Sequence, residues 1–213
     1  MENIRNLGMI KICNRLKSNY NIDMSKMIAL SFYAREGSWQ TSIIAEKVKK
    51  IYAWEVDEKF KIKLKNNLPK NADIKIGDSF VISLDNTYRN KFDVLVFDNP
   101  AGCYGSKKRD SNELYCEHFE ALELVPKLIN NNFGIVIFNI KSNPFNYVNF
   151  PEWQKRRNSY YGVKDASNLD IDFLKDFYDS KFKDMGFSIK FSFLKHRMQQ
   201  ADLYALTIGL EKK

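Results

Sequence analysis

From Met27 onward the chain alternates short apolar runs with stretches of helical periodicity, and this alternation leaves few folds open. Met27–Phe32 (MIALSF), Ile51–Val56, Ala72–Ile76, Phe92–Phe97 (FDVLVF) and Gly134–Ile140 are strand-length runs, of which Phe92–Phe97 is the clearest, continuous and β-branched like a buried strand. Between them the spacing predicts helices over Ser38–Lys50, Glu58–Asn66, Ser79–Leu84 and Leu114–Ile129. Ile43, Ile44 and Val48 mark the first of these; Leu114, Phe119, Leu122 and Val125 mark the last, whose final turn Pro126 weakens. Such an order is the signature of an α/β fold on a mainly parallel sheet. After the fifth strand a helix is expected over Leu169–Met185, stopped at Gly186. Phe187–Leu194 and Leu203–Leu210 then read as a β-hairpin closed through HRMQQAD, which brings the expected sheet to seven strands.

Residues 1–25 read as an N-terminal helical extension and 26–213 as one domain. Within it, residues 141–166 lack periodicity, contain Pro144 and Pro151, and are expected to form an irregular insertion of the length that functional loops have. A chain of 213 residues with 44% hydrophobic content fills one substantial core, and two full domains would be cramped. No apolar run reaches bilayer-spanning length, and Met1–Ile10 lacks the charged-then-apolar pattern of a secretion signal. Three cysteines, Cys13, Cys103 and Cys116, have no metal-ligand spacing and are odd in number, so the expectation is a cytoplasmic protein without membrane or metal. The net charge is +8, with the excess on residues 1–30 and 141–213 rather than in the middle. Basic flanks suit an anionic partner such as nucleic acid, although scattered lysines also occur on any solvated surface.

Four short stretches carry the candidate chemistry. Ser31-Phe32-Tyr33-Ala34-Arg35-Glu36-Gly37-Ser38 joins the first strand to the first helix, where a loop brings backbone and helix N-terminal amides close to a ligand. Glu55 ends the second strand eighteen residues beyond Gly37, near the spacing of about 20 at which an acid meets ribose hydroxyls in nucleoside-binding folds. Gly77-Asp78 follows the third strand, with Ile76 and Phe80 as apolar neighbours for a ring. Asp98-Asn99-Pro100-Ala101-Gly102-Cys103-Tyr104 follows the fourth.

This order of elements and loops resembles the class I S-adenosylmethionine-dependent methyltransferases over roughly residues 26–213. The resemblance implies a Rossmann-like fold with S-adenosylmethionine as cofactor. It places Tyr33, Ala34, Arg35 and Gly37 in the family's glycine-rich loop, with Ser31 where an acid is usual and Arg35 where the first glycine is expected. Glu55 would take the ribose and Asp78 the adenine amine, and Asp57 matches a position often acidic. Asp98, Asn99, Pro100 and Tyr104 resemble the Asp/Asn/Ser-Pro-Pro-aromatic loop of the amino-methyltransferases, with Ala101 in place of the second proline and the aromatic displaced to Tyr104. Either Asp98 or Asn99 is then the acceptor that holds a planar amine toward the methyl group, and Asp98 also borders the cofactor. The implied function is N-methylation of an exocyclic amine, as on a nucleic-acid base. Methylation of a small molecule or a protein, and a catalytically inactive binding module, are the alternatives that Ser31, Arg35 and the altered proline loop leave open.

Two further stretches are candidates for nucleic-acid contact. Trp153–Tyr161 interleaves Lys155, Arg156 and Arg157 with aromatic residues, as single-stranded nucleic acid or a flipped base requires, although an ordinary loop packed by its aromatics fits as well. Lys107-Lys108-Arg109 lies just past the proline loop. His118 and His196 stand apart without the ligand pairs of a metal site, and the sequence has no Ser/His/Asp arrangement or Walker-type loop.

Overall fold

The computed structural model describes residues 4–38, 40–97, 102–103, 115–116, 119–143, 151–197 and 202–213. Helix α1 (Ile4–Tyr20) and a 3-10 turn (Met24–Lys26) lead into strand β1 (Ile28–Phe32). Then follow α2 (Gln40–Lys47), β2 (Lys50–Glu55), a 3-10 turn (Glu58–Phe60), α3 (Lys61–Asn67) and β3 (Ala72–Ile76). Next are α4 (Ser79–Ser83), a 3-10 turn (Asn86–Tyr88), β4 (Val94–Phe97), and the two-residue strands β5 (Gly102–Cys103) and β6 (Tyr115–Cys116). The chain continues through α5 (Phe119–Leu122), α6 (Val125–Leu128), β7 (Gly134–Lys141), α7 (Pro151–Tyr161), α8 (Ile171–Asp184), β8 (Phe187–His196) and β9 (Leu203–Lys212).

Seven strands form one sheet in the order β3-β2-β1-β4-β7-β9-β8. β1, β2, β3, β4 and β7 run parallel, whereas β9 is antiparallel to both of its neighbours. Strand alternation explains why the central strands are apolar throughout. Leu30, Phe32, Tyr52, Trp54, Leu95, Phe97, Val136 and Phe138 supply one face, with Phe119, Leu174, Tyr178 and Phe182 packed over it. Ala29, Ile51, Ala53, Val94, Val96, Ile135 and Ile137 supply the other, covered by Ile43 and Ile44 of α2 and by α1. α1 buries Met9, Ile12, Cys13 and Leu16, a stripe at helical spacing. Beyond it, Tyr20 stacks on Phe191 of β8 at 4.2 Å.

Two segments differ from the sequence expectation. The helix expected over Leu114–Ile129 is two short helices separated by a turn, and Pro126 lies at the start of α6, where its missing N–H costs no helical hydrogen bond. Tyr115–Cys116, inside that expected helix, pairs instead with Gly102–Cys103 in an antiparallel ladder. The irregular stretch expected over 141–166 contains the eleven-residue helix α7. α7 buries Trp153, Arg157 and Tyr161, one residue per turn. Arg157 has no exposed surface; its Nε donates to the Ala166 carbonyl at 2.9 Å and its Nη2 to the Lys141 carbonyl at 2.8 Å. The guanidinium lies 5.0 Å from the centre of the Tyr161 ring, and the Tyr161 and Tyr178 hydroxyls hydrogen-bond at 2.8 Å. Burial pushes the Tyr161 phenol up to about 12, so it stays protonated at any physiological pH.

Candidate cofactor site

Parallel register brings the carboxyl ends of β1, β2 and β3 side by side, Phe32 opposite Trp54 and Glu55 opposite Ile76. Reversal of strand order between β1 and β4 opens the crevice in which ligands of such sheets bind. Backbone hydrogen bonds anchor the loop after β1: the Ala34 N–H donates to the Trp54 carbonyl of β2 at 3.1 Å, and the Gly37 N–H to the Ala34 carbonyl at 2.8 Å. Tyr33 (φ 55°), Arg35 (φ 48°) and Gly37 (φ 71°) all take left-handed backbone conformations. The glycine-rich shape therefore persists without glycine at Arg35, at a cost of roughly 1–2 kcal/mol for each side-chain-bearing residue held there.

Glu55 is what holds this shape. It is 5% exposed, and its carboxylate accepts the Arg35 N–H on Oε2 at 2.7 Å and the Asp57 N–H on Oε1 at 2.9 Å. Its own carbonyl accepts the Gly77 N–H at 2.8 Å, so one residue ties together the loops after β1, β2 and β3. Each carboxylate oxygen keeps lone-pair capacity for another donor. Asp78 caps α4 by accepting the Phe80 N–H on Oδ1 at 2.8 Å. Asp57 caps the turn Glu58–Phe60 and is ion-paired with Lys59.

The two departures from the glycine-rich pattern have structural accounts. Ser31, in the place of the usual acid, is fully buried and its hydroxyl pairs with that of Thr41 at 2.8 Å, joining β1 to the first turn of α2. Arg35 is exposed, and its guanidinium lies 5.5 Å from the centre of the Phe60 ring. Gly37 is required on two grounds, its positive φ and a Cβ position 3.1 Å from Leu64 and Leu68 side-chain atoms. A Gly37→Ala variant is expected to unfold about 1–3 kcal/mol more easily in urea, from backbone strain and overpacking together.

Sequence reasoning missed Gln40. It is the first residue of α2, only 1% exposed, and neither its Nε2 nor its Oε1 has a hydrogen-bond partner. A buried amide in that state costs stability unless something polar meets it. No sequence signal singles it out, because a glutamine after a strand–helix loop is ordinary until its burial is known.

The structure thus brings Tyr33, Ala34, Arg35, Gly37, Glu55 and Asp78 together. Asp98, Asn99, Pro100 and Tyr104, like Lys107, Lys108, Arg109 and His118, lie outside the described residues. Of the cations on α7, Lys155 is exposed, Arg156 is ion-paired with Glu120, and Arg157 is the buried staple described above. Phe119, Glu120, Glu123, Glu152, Lys155, Arg156 and Lys181 line a cleft of about 560 Å³ against α7, in which three cations face three acids and Arg156 pairs with Glu120 and Lys181 with Glu123. His196 is exposed at the end of β8, 5.0 Å from the Tyr204 ring. Among the described residues no group of three or more His, Cys, Asp or Glu side chains could hold a metal ion, and no helix is long and apolar enough to cross a membrane.

No protein-family model matches the chain, and no curated protein matches its sequence. Solved structures do match. TYW2 of M. jannaschii in complex with AdoMet shares 14% identity at a TM-score of 0.54, with 100% of this chain and 80% of that one covered. The Burkholderia thailandensis 1,6-didemethyltoxoflavin-N1-methyltransferase, with bound 1,6-didemethyltoxoflavin and S-adenosylhomocysteine, shares 14% at 0.56, covering 98% and 79%. A TehB-like SAM-dependent methyltransferase from Corynebacterium glutamicum shares 13% at 0.53, covering 97% and 88%. The fold is therefore that of the Rossmann-like, S-adenosylmethionine-dependent methyltransferases, as the order of elements in the sequence implied.

Proposed function

We propose that this protein is an S-adenosylmethionine-dependent methyltransferase that methylates a nitrogen, on the exocyclic amine of a nucleic-acid base. The observation that carries the reading is the Glu55 clamp, which holds a loop containing one glycine in the left-handed turns that a glycine-rich loop adopts. Its positive-φ residues carry strain of the kind kept at ligand sites. The residues present fit the cofactor. Backbone of Tyr33–Gly37 would face its methionine portion, with the unpartnered Gln40 amide available to an amino or carboxylate group. Glu55 would accept the ribose hydroxyls and Asp78 the adenine amine.

The cofactor supplies a methyl group already activated on a sulfonium, so the protein's task is positioning more than proton transfer. Asp98 or Asn99, together with Pro100, would hold the amine by accepting its hydrogens, and Tyr104 would stack on the base. The test is calorimetry with S-adenosylmethionine and S-adenosylhomocysteine, followed by methyl transfer to RNA and DNA. Binding in the micromolar range is expected, and no heat with either compound would sink the reading. Asn99→Ala is expected to cut turnover at least about 100-fold while leaving cofactor affinity within about twofold, since the contact is made to the substrate.

One observation favours a second acceptor class. Arg157 is buried and Arg156 ion-paired, which removes two of the three α7 cations from a nucleic-acid interface. The B. thailandensis enzyme has a small heterocycle, 1,6-didemethyltoxoflavin, bound. Incorporation of labelled methyl into a metabolite pool, with none in RNA or DNA, would select that class.

A further inference from the structure

Beside the open edge of the sheet, three ammonium groups gather on two aromatic rings. Lys50 opens β2, and its Nζ lies 4.5 Å from the centre of the Tyr52 ring. Lys91, just before β4, has its Nζ 4.5 Å from the same ring and 5.0 Å from that of Tyr88. Lys75, on the edge strand β3, stands 4.8 Å from the Tyr88 ring. The rings are held rigidly: Tyr52 and Tyr88 meet edge to face at 6.0 Å, and both pack on Phe92 in the core. Burial pushes the Tyr52 phenol up, but hydrogen bonds and charge from Lys91 and Lys50 outweigh it and leave the pKa below the ordinary phenol value.

The nearby acids do not balance the three charges. Asp73 meets Lys50 at 3.5 Å and its charge also reaches Lys75, while Asp85, whose Oδ1 accepts the Thr87 N–H at 2.8 Å, faces Lys75 and Lys91, so two carboxylates stand against three ammonium groups. Among the described residues neither Lys75 nor Lys91 forms an ion pair. Segment charge in the sequence hides this cluster, because residues 31–140 are close to neutral as a whole.

We propose that Lys50, Lys75 and Lys91, braced on Tyr52 and Tyr88, form a phosphate-binding site that docks the backbone of a nucleic acid on the edge of the sheet. This rests on the nucleic-acid reading of the function and names where that partner is held outside the crevice. Cations already immobilised on rings lose little further side-chain entropy when a phosphate arrives. Adjacent phosphates of a single strand offer several charges to a row of this kind, and the +8 net charge attracts a polyanion at long range.

The experiment measures binding of the whole protein to a fluorescent single-stranded RNA, as a function of salt, for wild type, Lys50→Gln/Lys75→Gln/Lys91→Gln and the corresponding triple arginine variant. Loss of three phosphate contacts is expected to weaken binding at least about 30-fold at 50 mM salt and to lower the slope of log K against log salt by about 2. Arginine at all three positions is expected to retain both, which separates charge from folding. Inorganic phosphate at the RNA's own phosphate concentration is expected not to compete. A glutamine variant that binds with wild-type affinity and slope would overturn the proposal, as would full competition by inorganic phosphate, which would mark a free-phosphate site. Wild type that binds S-adenosylmethionine but no RNA would overturn the docking site and leave the cofactor reading standing.

Discussion

Replacing Glu55 by alanine is expected to lower S-adenosylmethionine affinity at least about 100-fold, or roughly 2.8 kcal/mol, and to weaken the fold in the same step. The two effects share a cause. Without the carboxylate, the Arg35 and Asp57 N–H groups lose their acceptor, and the loss of each part-buried hydrogen bond costs about 0.5–1.5 kcal/mol. Arg35, held at φ 48°, then has nothing to keep it in a conformation that a side chain disfavours. The loop is expected to relax toward ordinary turns, so apo protein would show faster amide exchange over residues 34–37 than wild type. Glu55→Gln separates the contributions. An amide can accept at one atom only, so it keeps one of the two loop bonds and loses the charge. Calorimetry and urea unfolding on both variants check this: affinity loss with unchanged unfolding in both would mean Glu55 touches ligand without shaping the loop.

The second large effect is expected at Arg157. Substitution by alanine should cost about 3–5 kcal/mol of unfolding free energy, because it strands two carbonyls and leaves a cavity under α7. Lysine cannot replace it, since one ammonium on a flexible stem does not reproduce a fork that serves the Lys141 and Ala166 carbonyls at once. Two-state urea unfolding of Arg157→Ala and Arg157→Lys is the measurement, and a loss under 1 kcal/mol in both would show that the guanidinium is dispensable to the packing. Cofactor affinity should change little, because the staple stands on the far side of β4 from Glu55.

The same residue explains why α7 was illegible in the sequence. Its buried positions Trp153, Arg157 and Tyr161 recur every four residues, which is helical periodicity, but the middle member is a cation and drops out of any apolar count. The expected long helix over Leu114–Ile129 failed for the opposite reason. Phe119, Leu122, Val125 and Leu128 keep helical spacing across two helices and the turn between them, so spacing alone could not show the break. The pairing of Tyr115–Cys116 with Gly102–Cys103 is a contact between distant residues that no local pattern carries. The central parallel strands β1, β4 and β7 were legible because burial on both faces makes each a largely apolar run. Of the candidate site, the position of Glu55 at the end of β2 was readable from its distance to Gly37, whereas the left-handed turn at Arg35 was not, since such a turn is ordinarily signalled by glycine or asparagine.

Strand β9 lies between β7 and β8 although it follows both in the chain. On the ribosome, β8 is therefore made before the strand it must pair with, and β7 emerges with one side unmatched. At elongation rates of about 5–20 residues per second, the sheet stays open through the making of α7, α8 and β8. Once β8 itself is made, its apolar side chains Phe187, Phe191 and Phe193 have no strand beside them until β9 follows. The nascent chain thus passes through a period of exposed, aggregation-prone edge that ends only when residues 203–212 slide in as the closing wedge.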